Sequence, residues 1–115
     1  MDEQAIQKLL SLMGLARRAG KLALGADASV EAARLGTARL LLFASDLSPG
    51  TAGSAAKAAP ALQALSLPVP MEEMGHAVGK RVGIAAVLDD GFARRMRELG
   101  REAGAAVTMT GRDFS

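Results

Sequence analysis

A single histidine, no cysteine and twelve carboxylates bound the chemistry open to this chain of 115 residues. Without cysteine there is no thiolate to hold zinc or attack a carbonyl. His76 falls in a short helical stretch outside any metal-binding or catalytic-triad motif, so a surface or half-buried histidine is expected. Asp27 with Glu31, and Asp89 with Asp90, set acids close enough for a divalent ion. Acids at helix starts, however, commonly serve the first turn. Neither a Walker-type phosphate loop nor a GxGxxG run occurs, and Gly75 to Gly79 belongs to a helix rather than following a strand. The expectation is a protein that is no enzyme, with no cofactor and no metal.

The residues that remain are cations set beside glycine turns. Gly25 leads into a helical pattern, and a helix start leaves backbone N–H groups unpaired with partial positive charge, a place for phosphate or a base edge. Lys21 precedes that turn, and Arg17 and Arg18 end the helix before it. A second run, Lys80, Arg81, Val82, Gly83, Ile84, joins two charges to small apolar side chains around a glycine that permits close approach. Plainer readings stand beside these: a strand-to-helix connection with basic residues on a helix dipole, and a solvated turn.

Composition leans the same way without deciding it. The formal net charge is +2, and ten of the fourteen cations are arginine, whose planar fork suits phosphate and base edges. A GC-rich genome would give similar Arg, Ala and Gly usage. With three Phe and neither Trp nor Tyr, the stacking platforms of many single-strand RNA binders are missing, so any grip on RNA must work otherwise.

The elements that must position these residues follow from periodicity. Residues 4–18 carry Ile6, Leu9, Leu10, Met13 and Ala16 at helical spacing. Gly20 ends that helix, and a short extended segment runs from Lys21 to Leu24. A second helix spans about 26–35 and stops at Gly36. Residues 40–44 suit a central strand buried on both faces. Ser48 and Pro49 start a third helix, expected to reach about Ala64 with a kink or break near 56–59 ahead of Pro60. Residues 68–70 read as a short edge strand, since two prolines cannot donate to a ladder. A brief helix over about 72–78, an apolar strand at 84–88 and a final helix capped by Asp89 or Asp90 complete the domain. In that last helix Phe92, Met96 and Leu99 face inward. Residues 104–115 form a tail, with 107–110 open to being a strand. Alternating elements with short links imply one layered α/β domain over 1–115.

Three pieces read together: LLSLMGLARRAGKLALG at 9–25, LLLFASDLSP at 40–49 and MGHAVGKRVGIAAVLDDGFARRM at 74–96. In order and spacing they resemble the bacterial YlxQ-like branch of the ribosomal L-seven-Ae and L-thirty-e superfamily, over roughly residues 6–100. The resemblance implies a three-layer α/β/α sandwich around a four-stranded mixed sheet. It also implies a structured-RNA-binding protein, ribosomal or ribosome-associated, with rRNA as its RNA and ribosomal proteins or translation factors as further partners. In this family a kink-turn is gripped by the start of helix two and by the loop before the last strand. Those regions map onto Gly25, Ala26, Asp27, Ala28 and Glu31, with Lys21 beside them, and onto Lys80, Arg81, Val82, Gly83 and Ile84. Aliphatic side chains of that loop would pack against an unstacked base.

At the first region kink-turn binders carry Gly, any residue, Asn, Glu, two residues, then Lys. Here Asn is Asp27, Glu is Ala28 and Lys is Glu31. Ionised Asp only accepts, so a contact needing an amide donor is lost. Exchanging Lys for Glu turns an attraction to phosphate of about 1 to 4 kcal/mol at about 4 Å into a repulsion of similar size. The alternative function is a protein-interaction module of the same fold that has lost kink-turn affinity. A cytoplasmic monomer with no membrane partner completes the expectation.

Overall fold

A computed structural model describes residues 2–109, with the backbone alone for Thr108 and Met109. Its order is α1 (Glu3–Arg18), β1 (Leu22–Leu24), α2 (Ala26–Leu35), β2 (Leu40–Phe43), α3 (Pro49–Ala58), β3 (Gln63–Ser66), α4 (Met71–Val78), β4 (Ile84–Val87), α5 (Asp90–Ala103) and β5 (Ala106–Met109). Asp2 starts α1 by accepting from the Gln4 and Ala5 amides at 3.0 and 3.2 Å, satisfying two donors that a helix start leaves open. Asp89 does the same for α5, accepting from Phe92 N at 2.9 Å.

The strands form one mixed sheet in the order β1-β4-β2-β3-β5. Only β2 and β3 run parallel; the other neighbours are antiparallel. The pleat sends alternate residues to opposite faces, and β2 shows it plainly. Leu40 and Leu42 join the core with α1, α4 and α5, while Leu41 and Phe43 join the one with α2 and α3. A three-layer α/β/α sandwich results, as expected. Its α1 side is built from Leu9, Met13, Met74 and Met96; its α2 side rests largely on alanines.

The sheet has five strands rather than four, and one of the expected four lies elsewhere in the chain. The tail, where the sequence leaves a strand at 107–110 open, supplies the fifth: residues 106–109 pair antiparallel with β3, from Gln63↔Met109 to Ser66↔Ala106. Thr110 and the rest of the tail lie outside the described residues. The strand expected at 68–70 is instead Gln63–Ser66, an inner strand flanked by β2 and β5. Alanine's helix propensity carried the sequence reading of α3 through Ala64. Of the kink or break expected near 56–59, the structure shows a break: Pro60 disfavours helical geometry one residue earlier, Ala59 leaves it at φ −152°, ψ 79°, and the helix does not resume. Among the described residues no helix is long and apolar enough to cross a membrane.

Candidate nucleic-acid interface

Strand direction assembles the site. β1 and β2 both oppose β4, and β3 runs with β2, so the helices that follow β1, β2 and β3 all begin at one end of the sheet. Three helix N-termini, of α2, α3 and α4, face that end with their positive dipole poles. Each begins differently. Ser48 caps α3 through Thr51 N at 3.3 Å. Pro70 gives α4 no side-chain cap, and Asp46 replaces it, accepting from Met71 N at 2.9 Å. No side chain caps α2.

Gly25 makes the turn into α2 at φ 90°, ψ 170°, a region essentially closed to other residues. Its N–H donates to Ile84 O at 2.9 Å, which ties this turn to the start of β4. Across the same end, Ala44 N donates to Gly83 O at 2.8 Å and Ser45 N to Val69 O at 2.8 Å. The segment before β4 is also held from beneath. A Cβ on Gly75 would lie 2.8 Å from Arg81 Cα, so the loop backbone rests directly on α4.

These ties bring the two sequence-predicted stretches into one cleft of about 250 Å³, where Gly25 and Ala26 line one side and residues 80–84 the other. Lys80 and Arg81 are exposed, and neither belongs to an ion pair among the described residues; the pairs there are Glu31–Arg34, Arg39–Asp90 and Arg95–Glu98. Asp27 and Glu31 line an adjoining groove of about 430 Å³ between α2 and α3. Glu31 holds Arg34 one turn on, and this hydrogen bond, then the charge, raises the Arg34 pKa above its usual value. Ala28 is exposed on the first turn of α2.

Two expectations need correction. Lys21 does not join the cleft. Its carbonyl accepts from Leu88 N at 2.9 Å, at the opposite end of the β1–β4 ladder from the Gly25–Ile84 bond. Four residues of strand, about 13 Å, separate the two ends. Val82 and Ile84 were expected to offer apolar surface, yet they are only 4% and 1% exposed, because they enter the core as β4 begins. The half-buried apolar lining is Leu47 and Met71, joined by Ser48 and Thr51. Sequence reasoning missed these four; the available signal was that loops after parallel strands open at one end.

The chain is 30% identical over 100 residues to the RNA-binding protein YlxQ of Enterococcus faecium, covering 86% of this chain and 97% of that protein. It belongs to the YlxQ-like branch of the ribosomal L-seven-Ae and L-thirty-e superfamily. No family model matches the chain. A structure of a Bacillus halodurans protein of unknown function superposes on it with a TM-score of 0.73 at 29% identity, covering 82% of this chain and 97% of that one. The Giardia lamblia 15.5kD RNA binding protein shares the fold, with a TM-score of 0.58 at 17% identity over 90% of this chain and 91% of its own.

Proposed function

We propose that this protein binds structured RNA, gripping a kink-turn-like element with the start of α2 and the loop before β4, and works on or beside the ribosome in the cytoplasm as a monomer. The observation that carries this reading is the convergence of the Gly25 turn and the Lys80–Arg81 loop on one cleft, ringed by three helix N-termini. Main-chain donors and dipoles fix phosphates there, Lys80 and Arg81 supply charge, and Leu47 and Met71 give an unstacked base an apolar wall without aromatic stacking. The names of the YlxQ relative and of the Giardia protein support RNA as the ligand. Ribosomal RNA, with ribosomal proteins or translation factors nearby, is the partner this reading favours.

The test is a gel-shift series with kink-turn RNA, bulk rRNA fragments and a duplex without a kink. Kinked RNA should bind tightest, with affinity falling steeply as salt rises. Arg81→Glu should abolish binding while the circular dichroism spectrum stays that of the parent. Equal binding by Arg81→Glu would remove the assigned surface. A second reading, an interaction module that has lost kink-turn affinity, is favoured by Asp27, Ala28 and Glu31, which put two acids where the superfamily pattern has an amide and a cation. No shift with any of the three RNAs would support it.

A further inference from the structure

We infer that the RNA interface continues beyond the cleft: Arg17, Arg18, Lys80 and Arg81 form a basic strip across α4, and this strip holds the phosphate backbone of a duplex RNA arm. The inference rests on the reading of the cleft as an RNA grip and extends it to the helical part of the ligand.

The packing of α1 on α4 builds the strip. A Cβ on Gly14 would lie 2.8 Å from the Ala77 carbonyl oxygen, so the two helices approach backbone to side chain-free backbone. That contact sets the last turn of α1 beside the end of α4. Arg17 Nη1 then lies 3.0 Å from where a Cβ on Gly79 would stand, so the guanidinium rests on the residue just before Lys80. Arg18 lines the groove between the helices with Gln7, Ser11, Glu73 and His76. A second depression, containing Glu72, His76, Lys80 and Arg81, meets this groove at His76 and meets the cleft at Lys80 and Arg81. The surface is therefore continuous from the cleft to Arg18.

Its charge is uncommitted. All four cations are exposed and none belongs to an ion pair among the described residues, whereas Arg34, Arg39 and Arg95 each face a carboxylate elsewhere on the molecule. Glu72 and Glu73 are the acids on the strip, and they are outnumbered two to one. The eight residues of α4 span about 12 Å, enough to meet more than one phosphate, and arginine forks match phosphate oxygens bidentately. A single strand would want aromatic rings for stacking, and among the described residues no Phe, Trp or Tyr lines the strip. A duplex backbone needs none, since double-stranded RNA is held by shape and phosphate contacts.

The test uses fluorescence anisotropy with two probes: a plain RNA duplex of about 16 base pairs, and the same duplex carrying a kink-turn. Three proteins are compared: the parent, the double variant Arg17→Ala with Arg18→Ala, and Thr51→Glu. The last puts a negative charge in the cleft while completing a Ser48-to-Glu capping box, so its helix is retained. The parent should bind the plain duplex weakly, and the double variant should lose at least tenfold of that affinity, with its log–log salt slope shallower by about 2. Thr51→Glu should weaken the kinked probe alone. A parent that ignores the plain duplex, or a double variant that binds it with parental affinity and slope, overturns the strip. A kinked probe bound no tighter than the plain one, and indifferent to Thr51→Glu, sinks the cleft instead and leaves the duplex result to judge the strip separately.

Discussion

Gly25 and Gly75 constrain the cleft by different physics, and substitution separates them. At Gly25 nothing lies within 4 Å of an added Cβ, so Gly25→Ala meets only backbone strain, about 1–3 kcal/mol. Urea denaturation should show that loss. At Gly75 the obstacle is Arg81 Cα at 2.8 Å; Gly75→Ala must lift the loop that carries Lys80 and Arg81, so RNA affinity should fall further than with Gly25→Ala. The acids of α2 lead the other way. Glu31→Lys with Asp27→Asn restores the superfamily pattern at two positions and should raise affinity for a standard kink-turn at least tenfold, within the about 1 to 4 kcal/mol expected for one phosphate contact, as read by gel shift. The Glu31–Arg34 pair it breaks is exposed and contributes little. At this scale the sequence was informative where chemistry is local. A glycine before a helical pattern and a Lys-Arg pair between glycines marked both walls of the cleft. Whether Val82 and Ile84 point outward depends on where β4 enters the core, and no local pattern states that.

Between elements, the decisive contact is Asp46 on the first turn of α4, from 25 residues earlier in the chain. Asp46→Ala should destabilise the fold by about 0.5–2 kcal/mol, the usual cost of a lost cap, and loosen the Met71 side of the cleft; thermal denaturation and gel shift check the two effects. Sequence reading found the Ser48 cap because it is three residues from its donor, and it missed the Asp46 cap because Pro70 hides the need for one. The same distinction between local and long-range explains the strands. Residues 40–43 and 84–87 are apolar throughout and buried on both faces, so they were legible without partners. The strand at 63–66 follows an alanine-rich helix and carries no pattern strong enough to stand alone, while the one at 106–109 was legible only as an open possibility at 107–110 because its pairing with β3 is what specifies it.

Across the whole molecule, topology rather than net charge makes one end suited to an anion. A formal charge of +2 is too small to steer a polyanion strongly. Yet the shared direction of β1, β2 and β3 aims three helix starts the same way, and the loop before β4 adds Lys80 and Arg81. Lys21, placed with them on sequence grounds, sits at the other end because β1 crosses the sheet between it and Gly25. The measurement that bears on this most directly is an NMR titration of isotope-labelled protein with kink-turn RNA. Amide shifts are expected at residues 25–28, 47–51, 71 and 80–84. Shifts confined to the opposite end, at residues 21, 37–39 and 88–90, would contradict it.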